Sequence, residues 1–318
     1  MLQFLRYLGQ RVGGAIATVF AGAIAVFLIM KAAPGDPAMF VLGDFATQQS
    51  IAAFRARHSL DQPVLTQLWL WLETVLAGNL GESVSLYAGR DIAQLIGQRM
   101  PSTAFLGIYA LLLALVSSLV LGTVAALQRG RTADAAVTLF AVVGISMPDF
   151  WLGYVLVLAF ALTLGWLPAY GFTPPGESLT GALVTGLLPA LAIAAPLAAV
   201  FSRILRVSLL ETVERDYVTA ARSMGYNEAF IFINYVLRNA LIPFVTIVGL
   251  QVRYLLGGVV VIERIFGVPG IGSLMVDAAF ARDYAVVQAC ALTFLVIVLT
   301  VNLIVDLVCV LLDPRRSH

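Results

Sequence analysis

Apolar residues fill span-length stretches of this chain, and polar residues collect in the gaps between them. The stretches fall at about 12–30, 103–127, 135–164, 183–205, 241–262 and 285–312, and each reaches the roughly 17–25 residues that a bilayer-crossing helix requires. The pattern predicts an all-α polytopic membrane protein with about six transmembrane helices. Between the first two stretches, Ala33-Pro34-Gly35-Asp36-Pro37 cannot continue a helix. The segment 33–100 reads as mixed rather than spanning: 47–58 is a polar helix, and Asp61-Gln62-Pro63 opens another. That second helix would put Leu65, Leu68, Trp69, Leu72, Val75 and Leu76 on one face. It is too short to cross a bilayer, so it belongs at the interface, a level that suits Trp69 and Trp71.

The longest polar interruption inside the later half runs from Arg203 to Pro243. Helix formers from Leu209 onward stop at Gly225, a residue able to close a helix in the left-handed conformation. Asn227 can cap a second helix, and Glu228 sits where the helix macrodipole favours an acid. The expectation is two short helices, 209–225 and 229–240, joined at a glycine corner on the membrane face. Thr219, Ala220 and Ala221 are small enough to let another protein approach closely.

Composition removes whole classes of function. A chain of 318 residues with 60% hydrophobic and 12% charged residues is not a soluble globular protein. Its net charge of +1, with no basic patch interleaved with aromatics, gives nucleic acid nothing to bind. Lys31 is the single lysine and lies outside any G-x-x-x-x-G-K sequence, so no P-loop is encoded. If the protein is ATP-driven, ATP and magnesium bind to a different chain, and no cofactor or metal is expected in this one. Cys290 and Cys309 read as small apolar residues of the last span, and His58 and His318 are too far apart for a metal site or a triad. A signal peptide is the rival reading of the first stretch. Its apolar run of about 20 residues exceeds the roughly 7–15 of a signal core, which favours a retained span.

Arginines set the orientation. If the spans alternate, Arg6, Arg11, Arg129, Arg131, Arg203, Arg206, Arg215, Arg222, Arg238, Arg315 and Arg316 all fall on one side. The positive-inside rule makes that side, with both termini and the 203–240 segment, cytoplasmic.

Read in order, short tags along the chain now resemble a family. Leu60-Asp61-Gln62-Pro63, Gly78-Asn79-Leu80-Gly81-Glu82-Ser83, Met147-Pro148-Asp149-Phe150-Trp151, Trp166-Leu167-Pro168, Arg238-Asn239-Ala240 and Arg282-Asp283-Tyr284 occur in sequence. Together with the ends of the chain they resemble the first permease subunit of bacterial dipeptide, oligopeptide and nickel ABC importers. The resemblance implies an ABC importer type I permease fold over 1–318. It divides into a first span (1–32), an extracytoplasmic segment (33–100), a five-helix core (101–312) and a cytoplasmic tail (313–318). It also implies a multi-pass protein of the bacterial inner membrane, with a second related permease in a heterodimer, two ABC ATPase subunits and an extracytoplasmic solute-binding protein as partners.

The family's cytoplasmic signature is E-A-A-x-x-x-G. Ala220, Ala221 and Gly225 fit it, whereas Thr219 stands in place of the glutamate. The resemblance makes Asp216, Tyr217, Thr219, Ala220, Ala221, Arg222, Ser223, Met224 and Gly225 the coupling helix that docks on the ATPase. A plain interfacial hairpin is the alternative.

A translocation pathway is expected from Asp149, Gln251, Arg253 and Gly257. A charge inside a span is costly and by default functional, so Asp149 and Arg253 are expected to face the bundle interior and pair. Helix packing by the glycines and snorkelling of Arg253 stay open as alternatives. The stretch 263–272, with Glu263, Phe266, Pro269 and Gly270, is expected as a shaped loop at the external mouth. The cargo implied is di- or oligopeptides, with nickel chelates, glutathione or glycosides as alternatives. From another class, a proton-coupled secondary transporter would need further intramembrane acids and an internal repeat, neither of which is visible.

Overall fold

A computed structural model describes residues 2–32, 37–43 and 46–312; the side chains of 2–8, 37, 40, 41, 252, 253, 256 and 308–312 lie outside the description. Among the described residues the architecture is helical: α1 Leu2–Ala32, α2 Pro37–Leu42, α3 Gln48–Arg57, α4 Val64–Leu76, α5 Ile92–Leu127, α6 Thr132–Ser146 and α7 Asp149–Leu156. A π-helical turn, Val157–Thr163, extends α7. Then come α8 Leu179–Val213, α9 Asp216–Ser223, α10 Glu228–Ile231, a second π-helical turn Phe232–Leu237, α11 Arg238–Phe266, α12 Ile271–Phe280 and α13 Tyr284–Leu312. One isolated antiparallel bridge joins Glu82 to Asp91. The junction 33–36 and the tail 313–318 lie outside the described residues.

Five helices are long and apolar enough to cross a membrane, or up to seven spans if two bent pairs each count as one. The stretch 135–164, expected as a single span, is one of these pairs: α6 and the α7 segment meet at 111°. Pro148 explains the break, because it carries no N–H and disfavours helix at Met147, whose backbone is extended. The second pair, Gly257–Phe266 with Ile271–Phe280, bends by 74°. The loop expected over 263–272 shrinks to 267–270, since Glu263 to Phe266 are the last turn of α11. Gly267 closes that helix in the left-handed conformation, and the Val268 N–H reaches back to the Glu263 carbonyl at 2.9 Å. The Tyr170 ring occupies the place a side chain at residue 267 would need, so glycine is required there twice over.

The described residues form two compact units, one of 2–7, 104–268 and 300–312, the other of 8–103 and 269–299. In the first, α8 packs against α6, α7 and α11. From 181 to 202 it carries no charged residue, and the helix buries Leu188, Phe201, Leu205 and Leu209 completely, as a central helix must. On α5, Ala110, Ala114 and Ser118 are buried, while Ile108, Leu112, Val116 and Val120 on the opposite face are exposed. Apolar residues outside and small ones inside are what hydrocarbon solvent selects.

The second unit is held by a buried carboxylate. Asp283, 1% exposed, accepts a hydrogen bond from the Ser83 hydroxyl at 2.6 Å and from the backbone N–H groups of Val84, Ser85 and Leu86 at 3.0, 2.9 and 3.0 Å. Two sequence tags 200 residues apart, Gly78–Ser83 and Arg282-Asp283-Tyr284, thereby meet in one joint. Nearby, the Ile271 N–H donates to Thr103 Oγ1 at 2.8 Å and pins the start of α12. Helices α3 and α4 form where expected, with Thr47 capping α3 through a reciprocal bond with Ser50. The buried side of α4 matches expectation only in part. Gln67 and Leu72 are buried, Leu68, Trp71 and Val75 pack beside them, and Leu65, Trp69 and Leu76 are left exposed.

Candidate functional site

The polar segment after α8 is built outward from the core. Ser208 donates to the Ala240 carbonyl at 2.9 Å, tying the end of α8 to the start of α11 in a buried contact. Helix α8 stops at Val213, and the chain turns through Glu214 and the extended Arg215 before α9 begins. The helix expected over 209–225 is therefore two pieces: 209–213 belongs to α8, and only Asp216–Ser223 forms the separate helix.

Gly225, at φ +84°, makes the expected corner, and the Asn227 side chain caps α10 by accepting from the Phe230 N–H at 2.7 Å. The second expected short helix does not end at residue 240. Backbone angles remain right-handed helical through both junctions, so α10, its π-helical turn and α11 run on as one rod. No glycine or proline lies in 229–240, the Asn234 and Asn239 amides donate to the carbonyls of Phe230 and Tyr235 instead of capping a helix end, and Pro243 falls inside the helix.

Val218 and Ala221 of α9, with Ile231 and Val236 beyond the corner, are buried in the main apolar core. Ala221, expected on the docking face, points inward for that reason: it lies three residues from Val218, on the same side of the helix. Asp216, Tyr217, Thr219, Ala220, Arg222, Ser223, Met224 and Gly225 are exposed. Arg222 spans the corner to Glu228 in a two-point ion pair of 2.9 and 3.2 Å, which holds the guanidinium more firmly protonated than usual. Being exposed, the pair contributes little stability, and its work is to fix the angle between α9 and α10.

The sequence reading missed the aromatic side of this corner. Tyr226 stacks on Phe230 with ring centroids 5.1 Å apart, and Tyr235 meets Phe230 edge-on at 6.1 Å. Beside them Met224 is 74% exposed. Phe230 and Tyr235, five residues apart, and Tyr226 just before the cap hold the signal, but it is readable only once the helix is known to begin at Glu228 and run on through 237. A methionine and an aromatic cluster around small residues form the kind of surface that dominates protein–protein binding.

The second candidate region lies at the break before α7. Asp149 opens that helix, and its Oδ1 accepts the Phe150 N–H at 3.1 Å. With Met147, Tyr254, Leu255 and Gly258 it lines a cleft of about 210 Å³. Asp149 Oδ2 sits where a side chain on Gly258 would project, so Gly258 makes room for the carboxylate. Gly257, by contrast, has nothing within 4 Å, and Gln251 is half-buried on the same helix. The Arg253 side chain, and with it the expected Asp149–Arg253 pair, lies outside the described residues. Gly258→Ala is expected to cost about 1–3 kcal/mol through overpacking, read as a lower melting midpoint of the purified chain. Removing the carboxylate as well, in an Asp149→Ala/Gly258→Ala variant, should return most of that loss in a double-mutant cycle.

At the expected external mouth, Glu263 and Phe266 are buried in the closing turn of α11, while Pro269 and Gly270 form the short link to α12. Among the described residues, no group of three or more metal-ligating side chains occurs.

Comparison with known proteins fits this geometry. Residues 118–318 match the family described as binding-protein-dependent transport system inner membrane component, and residues 1–106 match the N-terminal family of the same system. The chain is similar to a probable peptide ABC transporter permease protein of Sinorhizobium fredii, 35% identical over 98% of this chain and 99% of that one. It is 37% identical to a putative peptide transport system permease protein of Brucella abortus, over 97% and 98% of the two chains. To the glutathione transport system permease protein GsiC of Escherichia coli K12 it is 36% identical, over 99% of each. Among solved structures, an amino acid ABC transporter crystallised with histidines superposes with a TM-score of 0.54, covering 68% of this chain and 93% of that one at 15% identity. That likeness speaks for the fold alone.

Proposed function

We infer the function from one premise: the chain belongs to the family of binding-protein-dependent transport system inner membrane components. It is a multi-pass inner-membrane permease of an ABC importer, and it works with other components of that transporter. Its cargo is peptides or closely related solutes, the class named for its relatives in Sinorhizobium and Brucella. Glutathione, itself a small peptide, is the specific alternative that similarity to GsiC supports.

Two ABC ATPase subunits bind and hydrolyse ATP with magnesium, a related permease completes the pore, and an extracytoplasmic binding protein delivers the solute. The observation that carries this reading is the corner at Gly225, which exposes Ala220, Met224, Tyr226 and Phe230 while anchoring through buried Val218, Ala221 and Ile231. ATPase closure moves α9, and the unbroken rod from α10 into α11 carries the displacement to the Asp149–Gly258 cleft. Asp149, Gln251, Arg253 and Gly257 line the route, Pro269 and Gly270 belong to the outer mouth, and both termini face the cytoplasm.

Affinity purification of the tagged full chain in mild detergent tests the assembly. Two ATPase chains and a second permease should elute with it, and ATPase activity should rise with peptide-loaded binding protein. A folded chain that elutes alone, or activity indifferent to peptide, would end this reading.

A further inference from the structure

A cleft among the described residues lies within the second unit, apart from both regions above. Its volume is about 430 Å³, inside the roughly 300–1,000 Å³ usual for small-ligand sites. The end of α1, the end of α3, the inner side of α4 and the start of α13 form its walls. Among the described residues of the lining, Lys31, Arg57 and Arg282 are cations and Glu82 is the one carboxylate. His58 also lines the cleft; partial burial and then the neighbouring Arg57 hold its imidazole below the ordinary value, against the pull of Glu82. It therefore adds little charge at neutral pH. Lys31 is not loose: its Nζ donates to Gln67 Oε1 at 2.8 Å, and Gln67 is itself anchored on the carbonyls of Leu60 and Gln62.

Position sets the class of ligand. The candidate span of α1 ends at Ala32 and that of α13 begins at Tyr284, so both reach a membrane–water boundary at this cleft. Phe27 and Trp71 pack together in its wall with ring centroids 5.6 Å apart, an aromatic pair at the level where such rings collect. Outside it, Leu65, Trp69 and Leu76 of α4 and Ile29 of α1 are exposed apolar side chains, a surface that acyl chains cover. A cationic, half-apolar hollow rimmed by lipid-facing residues matches an anionic amphiphile.

We propose that this cleft binds the phosphate-bearing head group of an anionic phospholipid, with Lys31 and Arg57 contacting the phosphate and Phe27 and Trp71 flanking the glycerol. Such a lipid would clamp α3 and α4 to the first and last spans, on the face that the binding protein approaches. The identity of the transported solute has no bearing on this cleft.

The test uses the full chain, purified and exchanged into nanodiscs of phosphatidylcholine with a minority of phosphatidylglycerol. Native mass spectrometry should find phosphatidylglycerol retained over phosphatidylcholine, and Lys31→Gln/Arg57→Gln should lower that retention by about tenfold. Lys31→Arg, which preserves charge, should keep it. Equal retention of the two lipids by the wild type overturns the proposal even if the double variant fails to fold, and so does undiminished retention by a folded double variant. Displacement by millimolar inorganic phosphate would reassign the cleft to a soluble anion. Displacement by dialanine would reassign it to peptide, and either result overturns the lipid.

Discussion

Ala220→Arg is expected to cut peptide uptake at least tenfold, while the chain reaches the membrane in normal amount. Ala220 is exposed on α9, so the new side chain meets no neighbour inside the subunit. It would stand between the corner and whatever seats against it, where the loss of one well-packed contact is worth about 2 kcal/mol or more. ATPase chains should co-purify weakly, and peptide-stimulated ATP hydrolysis should fall in parallel with uptake. One residue further on, Ala221→Arg should fail differently. Ala221 is 3% exposed in the same core as Val218 and Ile231, and burying an unpaired charge there costs at least about 3–5 kcal/mol. Loss of the protein itself, seen as low abundance and a broad size-exclusion profile, is the expected result. If both variants behaved alike, the outward and inward assignment of the helix would be wrong, and the docking surface with it.

The largest effect on stability is expected from Asp283→Ala. Four donors converge on that carboxylate: one hydroxyl and three consecutive backbone N–H groups, in a joint closed to solvent. Hydrogen bonds to a charged acceptor contribute about 1.5–3 kcal/mol each, and buried donors left without an acceptor add their own penalty. The contributions overlap, so the net loss should be about 3–5 kcal/mol, read as a lower melting midpoint of the purified assembly. Asp283→Asn keeps one acceptor oxygen and the shape but loses the charge, and it should fall between wild type and alanine. The 83–86 segment should also become open to limited proteolysis in the alanine variant. An unchanged midpoint would mean that Ile271 on Thr103 and the apolar cluster around Ile92, Leu274 and Val286 hold the joint without it.

Much of this was legible in residues alone. Span-length apolar stretches gave the helices their approximate places, since hydrocarbon solvent leaves a spanning chain few other options. The polar helix beginning near Thr47, the corner at Gly225 and the cap at Asn227 were readable because each depends on residues close by in the chain. The family could be recognised from tags whose meaning only the structure supplied. Gly78–Ser83 and Arg282-Asp283-Tyr284 come together in one joint because the carboxylate of one needs the backbone N–H groups beside the other.

Other features had no local signal. Ala220 and Ala221 are the same residue type in adjacent positions, and only the orientation of α9 against the core exposes one and buries the other. Of the apolar face read for α4, Leu68, Leu72 and Val75 pack inward but Leu65, Trp69 and Leu76 do not, because a helix at a membrane interface meets apolar surroundings on more than one face. Glu263 and Phe266 read as loop residues from the glycines after them, yet a single left-handed glycine at 267 was enough to end the helix there. Composition and order along the chain therefore determined the solvent, the helices and the family. Which side of each helix meets the core, lipid or another protein was decided by packing between segments far apart in sequence, since that choice depends on neighbours a linear pattern does not contain.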